Sequence, residues 1–338
     1  MDFKDVNTLF KDDLSRVDKC LRDNYFSDIP LVPGIGDYIM NGGGKRIRPL
    51  LLLMSTRLFG REVDDRVIRH ATAVEYVHAA TLLHDDVVDE TTVRRGQATV
   101  NAKWGSDASI LVGDFLIARA LLLLSKDVHE GIFQAFAEGA KSLVEGGLLE
   151  ISYARDIQVT EAHCLDVARR KTASIMALSC RLGAQLAAAT PSRENGVADF
   201  GMNFGIAFQL IDDALDYDGT PEQLGKPAGT DFKEGHVTLP LHFLYHAADS
   251  NLKREIESFI MNEALTQKDL DYIVERMREA KAIEYTLTLA RNYMDRAKQS
   301  LTGAGFMDSP IRQTLFATAD HILNRIQPRR PSLVSSRY

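Results

Sequence analysis

No proline interrupts the chain between Pro49 and Pro191, and the apolar residues across that interval recur at spacings of three and four rather than two. A strand-rich fold needs alternation and frequent turn residues, so the interval is committed to helix. In "DDRVIRHATAVEYVHAATLLHDDVVDE" the spacing predicts one long helix that starts near Asp64 as its capping residue. Val67, Ala71, Val74, His78, Thr81, Asp85 and Asp89 then share one stripe, so the aspartates continue a buried face. Glycine and proline gather in two connections, "NGGGKRIRP" and "DGTPEQLGKPAGTDF". The expected architecture is all-α, a single-domain helical bundle over residues 1–338 that ends in a basic, loosely docked tail at 326–338.

With 338 residues, 45% of them hydrophobic, the chain can bury a substantial core. A formal charge of −7 supplies no basic face for phosphate backbones, so nucleic acid is excluded as a partner. The three cysteines, Cys20, Cys164 and Cys180, have no metal-ligand spacing and read as reduced thiols. The N-terminus "MDFKDVNTLFKDDLSR" is acidic where a signal peptide is basic and then apolar, and no apolar stretch approaches the ~18 residues of a membrane span. No transmembrane segment is expected, and the expected location is the cytoplasm.

The stretch "LLHDDVVDETTVRRG", residues 82–96, crowds three aspartates and a glutamate and then adds two arginines. Like charges this close need a cation, and the guanidinium groups of Arg94 and Arg95 suit an anion. The pair should lie one or two turns beyond Asp89. On a helix Asp85 and Asp89 share one side, with Asp86 beside them, and oxygen-only ligands select a hard ion such as magnesium, shared with substrate phosphates. A solvated acidic helix end accounts for one such motif. It does not account for "LIDDALDYD", in which Asp212, Asp213 and Asp216 repeat the same spacing.

Further anion-facing candidates are Lys45, Arg46 and Arg48 after three glycines, in a loop that is not a Walker A because Arg46 follows the lysine. His78 lies on the helical face of Asp85. Lys171 with Thr172, Gln209 one turn before Asp212, and Lys226 complete the set. No Ser-His-Asp order or dinucleotide loop competes with them.

These segments, in this order, resemble the trans-polyprenyl diphosphate synthases, which elongate an allylic diphosphate with isopentenyl diphosphate. The resemblance covers roughly residues 30–325 and rests on "GGGKRIRP", "LLHDDVVDE", "RRG", "KT", "FQLIDDALD" and "GKPAGTD". It implies an isoprenoid-synthase bundle around a central cavity, magnesium as three ions assembled with the substrate diphosphate, and a homodimer. Asp85, Asp86, Asp89, Asp212, Asp213 and Asp216 would bind metal, and Asp85, Asp86, Asp89, Asp212 and Lys171 would carry catalysis. Arg94, Lys171, Thr172, Gln209 and Lys226 would hold the allylic diphosphate, with farnesyl diphosphate the expected starter. Lys45, Arg48, His78 and Arg95 would hold isopentenyl diphosphate.

In the resembled family, bulky aromatic residues four and five positions before the first aspartate block the growing chain. Here Thr81 and Ala80 stand there with Val77 nearby, which implies a deep tunnel and a long all-trans product for a quinone side chain. Two departures stand out: His236 where a lysine precedes "TLP", and Gly147 with Glu150 where an acidic residue and a glutamine are expected. The rival readings are a short-chain farnesyl or geranylgeranyl diphosphate synthase, a terpene cyclase, and a noncatalytic subunit of a heteromeric synthase. A cyclase resembles the second acidic motif less well, and a noncatalytic subunit should have lost carboxylates or arginines that this chain retains.

Overall fold

The computed structural model describes residues 1–94, 96–126, 129–219, 229–262 and 265–325. Arg95, Lys226 and the tail 326–338 lie outside the described residues. The helices run in the order α1 (Phe3–Leu9), α2 (Lys11–Asp23), α3 (Leu31–Asn41), α4 (Ile47–Leu58) and α5 (Asp65–Val88). A two-stranded hairpin follows, β1 (Val93–Arg94) against β2 (Gln97–Ala98). Next come α6 (Val100–Trp104), α7 (Ser106–Ser125), α8 (Glu130–Tyr153), α9 (Glu161–Val167), a π-helical turn (Ala168–Ala173), α10 (Ser174–Leu186) and α11 (Pro191–Asp218). The remainder is α12 (Thr230–Glu234), α13 (Leu239–Ala247), α14 (Ser250–Ile260), α15 (Gln267–Glu279), α16 (Ala282–Gly303) and α17 (Pro310–Leu323).

The helix expected after Asp64 forms as read. The Asp64 carboxylate accepts the Val67 N–H at 3.0 Å, satisfying one of the amides left open at a helix start. Val67, Ala71 and Val74 are fully buried, whereas His78, Thr81 and Asp85 are half-buried, so the stripe opens towards its C-terminal end. Burial along α5 is not confined to that stripe, because α2, α4, α7 and α10 all pack on it. A helix apolar on every side is a central helix. α11 holds the matching position in the second half, between α10 and α16.

Small residues set how closely these helices approach. A Cβ on Gly205 would lie 2.4 Å from the Ala173 Cα, and one on Gly201 would lie 2.7 Å from the Ala177 Cα. A Cβ on Gly146 of α8 would lie 2.3 Å from the Lys171 backbone nitrogen. The π-helical turn carrying Lys171 is therefore clasped between α8 and α11 at backbone contact. A second, smaller apolar cluster, with Phe232, Leu241, Ile256, Ile273 and Met277, lies beneath α13–α15.

The structure corrects two expectations. α5 stops at Val88, so Arg94 is not on a further helical turn but on β1. α7 is 20 residues long with mean hydropathy 1.9, so one helix among the described residues is long and apolar enough to cross a membrane. Asp107, Asp114 and Arg119 divide that helix into shorter uncharged runs, which hid its overall character in the sequence.

Gly205→Ala is expected to destabilise the protein by about 1–3 kcal/mol, the usual range for overpacking. Gly34→Ala, where an added methyl group meets nothing within 4 Å, is expected to be neutral or mildly stabilising. Urea denaturation midpoints compare the two, and equal midpoints would contradict the packing described.

Candidate active site

The first aspartate cluster sits where α5 ends. Asp89 is the C-terminal capping residue, and its N–H donates to the Asp85 carbonyl at 2.8 Å. The chain then turns into the hairpin. Asn101 of α6 donates its amide N–H to the carbonyls of Asp86, at 2.8 Å, and Thr91, at 3.1 Å. This fastening presents Arg94, whose Nε donates to Asp86 Oδ1 at 2.7 Å.

From the other side of the bundle, Lys171 reaches the same carboxylates. Its Nζ lies 3.9 Å from Asp85 Oδ2 and donates a short hydrogen bond to Glu150. Burial by itself would lower the Lys171 pKa, but Glu150, Asp85 and Asp89 outweigh it and hold the ammonium more firmly protonated than usual. Burial pushes Asp85, Asp86 and Asp89 above the ordinary carboxylate range, against the opposing pull of Lys171 and Arg94. Their shared negative charge is thus under-compensated by the protein's own cations.

The second cluster lies along α11. Thr172 Oγ1 donates to Gln209 Oε1 at 2.5 Å, and Gln209 Nε2 donates to Asp213 Oδ1 at 2.8 Å. Asp213 is buried, and that burial, with the charge of Asp231, raises its pKa well above 3.8. Asp212 accepts from Arg325 Nη1 at 2.6 Å. Asp216 is buried and differently engaged. Its Oδ2 accepts the Asp231 N–H at 3.1 Å and its carbonyl accepts the Gly229 N–H at 2.7 Å, so it secures the start of α12.

Asp85, Asp89, Arg94, Lys171, Gln209, Asp212 and Asp213 all line one cavity of about 650 Å³. Thr172 lines a smaller adjoining pocket that shares Glu150, Lys171, Gln209 and Asp213. Arg46 is turned away from it into ion pairs with Asp18 and Glu75, both at 2.9 Å, and its left-handed backbone starts α4. Lys45 is on the cavity's electrostatic fringe: burial and Arg325 lower its pKa while Asp212 opposes them. Arg48 and His78 are half-buried, and neither is among the cavity's described lining residues. The same holds for Val77, Ala80 and Thr81.

Sequence reading did not anticipate Arg325, Asp231 or Glu234 as site residues, and it noted His236 and Glu150 only as departures. All five line the cavity. Nothing local marks Arg325, whose partner is 113 positions away.

Carboxylate oxygens converging with lysine and arginine suit a hard divalent cation together with a phosphate-bearing ligand. The comparisons point the same way. The family model described as "Polyprenyl synthetase" matches residues 30–277. The chain belongs to the polyprenyl synthetase family. It is 35% identical over 330 residues to octaprenyl diphosphate synthase of Escherichia coli (strain K12), covering 96% of this chain and 99% of that one. Among solved structures it resembles a decaprenyl diphosphate synthase from Rhodobacter capsulatus, with a TM-score of 0.90, 32% identity and coverage of 96% and 100%. A polyprenyl synthase from Caulobacter crescentus, complexed with calcium and isoprenyl diphosphate, gives a TM-score of 0.91 at 35% identity, with coverage of 95% and 97%. The helical bundle is accordingly the all-α isoprenoid-synthase fold.

The raised carboxylates carry a pH consequence. A carboxyl group with a higher pKa in the folded state binds protons better there than in the unfolded chain, so its contribution to stability is lost as pH rises through the folded value. The metal-free protein should therefore lose stability as pH rises from the ordinary value of 3.8 towards neutrality because of Asp85, Asp86, Asp89 and Asp213. Asp213→Asn should reduce that loss. Melting temperatures in chelator across this range test it, and an equal or steeper decline in the variant would contradict the assignment.

Proposed function

We propose that this prenyltransferase condenses isopentenyl diphosphate with an allylic diphosphate, farnesyl diphosphate being the expected starter, to build a long all-trans polyprenyl diphosphate for a quinone side chain. The observation that carries the reading is the convergence of two aspartate clusters, from α5 and α11, with Lys171 and Arg94 around one cavity. Asp85, Asp86, Asp89, Asp212, Asp213 and Asp216 would hold magnesium, which when bound would supply positive charge to the departing diphosphate. Asp216 also fixes the start of α12 through one carboxylate oxygen.

Lys171 and Arg94 bind the allylic diphosphate oxygens, and Gln209, aligned by Thr172 and Asp213, offers its amide to the same group. Lys45, Arg48, His78 and Arg95 serve isopentenyl diphosphate, and Lys226 joins the allylic set. Both Arg95 and Lys226 fall outside the described residues. The allylic C–O bond breaks, the isopentenyl double bond attacks the carbon released, and a proton leaves for the freed diphosphate. No protein nucleophile is required. The apolar bundle excludes water from the cationic carbon.

Product length follows from the wall below the aspartates. Ala80 and Val77 are buried and small, and Thr81 donates its hydroxyl to the His78 carbonyl at 2.9 Å. Five residues before Asp85 correspond to about 7.5 Å of helix, in the path of a growing chain. A homodimer accounts for a further feature. α7 and α8 leave Leu111, Leu122, Val144 and Leu148 more than half exposed, an apolar face suited to twofold pairing. Three free cysteines fit a reducing cytoplasm.

Asp85→Ala and Asp212→Ala are each expected to lower turnover by about 10²–10³-fold or more, the scale of removing one contact to developing charge, without loss of melting temperature. Near-normal turnover in either variant would remove it from the metal set. Ala80→Phe is expected to shorten the product of the wild-type enzyme, read by chromatography of dephosphorylated products at matched activity. An unchanged long product would defeat the tunnel reading. In light scattering the wild type should run at twice 37.6 kDa, and Leu111→Glu/Leu148→Glu should shift it towards the monomer.

A further inference from the structure

α8 engages two successive basic residues of the π-helical turn. Glu145 accepts from Arg170 Nη1 at 3.0 Å and Asp166 accepts from Arg170 Nε at 2.9 Å, which holds that guanidinium away from the cavity. Further along α8, Glu150 accepts from the next residue, Lys171, on the cavity side. Backbone contact sets this pairing: Gly146 lets α8 lie against the Lys171 backbone nitrogen, and Glu150 follows about one helical turn later. The Glu150 side chain is only 23% exposed and lines both the large cavity and the smaller pocket. Its charge opposes ionisation of Asp89 and of Asp213, so it stands between the two aspartate clusters.

A carboxylate at this place works against anion binding. The ammonium of Lys171 faces Glu150 and, at 3.9 Å, Asp85. A phosphate oxygen accepting from the same ammonium would come within about 6 Å of Glu150, two hydrogen-bond lengths away. At that separation the repulsion of two negative charges in a partly buried site exceeds thermal energy several-fold. We propose that Glu150 competes with the allylic diphosphate for Lys171 and thereby sets how tightly the site holds that group and the diphosphate released from it. Glu150 touches no reacting atom and acts through Lys171, so it is a positioning residue. Its influence falls on one substrate, because Lys45, assigned to isopentenyl diphosphate, answers to Arg325 and Asp212 instead. Glutamine, the residue expected at this position, would accept the same hydrogen bond without the charge. Glutamate frees the diphosphate more readily at the end of each addition, which a long product requires many times. This competition presupposes that Lys171 binds the allylic diphosphate.

Calorimetric titration of the full-length protein with inorganic diphosphate in excess Mg2+ tests it. Glu150→Gln should bind diphosphate about tenfold more tightly than the wild type, whereas Glu150→Asp, which keeps the charge, should gain little. In steady-state assays Glu150→Gln should lower the Michaelis constant for farnesyl diphosphate, leave that for isopentenyl diphosphate unchanged and make inorganic diphosphate a stronger inhibitor. A residue serving only the packing of α8 would not split the two constants in this way. Circular dichroism verifies that each variant is folded. If Lys171→Ala binds diphosphate as well as the wild type does, the role given to Lys171 fails and the competition with it. If Lys171→Ala weakens binding but folded Glu150→Gln binds no more tightly than the wild type, or Glu150→Asp gains as much, the competition alone is overturned.

Discussion

Repulsion among buried carboxylates organises this structure. Asp85 and Asp89 at the end of one central helix, with Asp86 beside them, and Asp212 and Asp213 on another gather at a shared cavity, and burial makes the negative charges of Asp85, Asp86, Asp89 and Asp213 harder to sustain. Three cations are recruited against it: Arg94 from a hairpin, Lys171 from a π-helical turn and Arg325 after the last helix. These cations are also the groups suited to phosphate. The resting site is held together by the contacts that a metal–diphosphate ligand would take over.

Positioning those cations requires close backbone approach. Lys171 can be inserted between α8 and α11 because Gly146, Gly201 and Gly205 remove the side chains that would keep the helices apart. The π-helical turn adds the local rotation that aims the lysine inward, a geometry often found at functional sites. Likewise Arg94 is aimed by a hairpin that Asn101 fastens to the end of α5. The geometry of the cavity wall depends on residues that are not among its described lining.

Much of this was legible in the chain itself. Helical spacing from Val67 to Asp85, the Asp64 cap and the doubled aspartate pattern gave the two central helices and their common face, because each signal is local and periodic. What escaped was set by tertiary contact. Arg94 reads as helical until the capping of α5 at Asp89 is seen, and nothing local shows that one carboxylate oxygen of Asp216 accepts the Asp231 N–H. Arg46 shares a basic loop with Lys45 but is drawn inward by Asp18 and Glu75, partners far away in sequence.

The ion pair between Arg325 and Asp212 spans 113 positions and joins the end of the described chain to its chemical centre. α17 docks beside α1, with His321 stacked on Phe3 at 4.0 Å between ring centroids. The first and last described helices are thus packed together, and Arg325 just beyond the last reaches the cavity. During synthesis the aspartates of α5 and α11 leave the ribosome well before their C-terminal counter-ion, since contacts of such long range close last. The nascent bundle passes through a stage in which its centre carries more uncompensated negative charge than the folded protein, until Arg325 is in place to offset part of it.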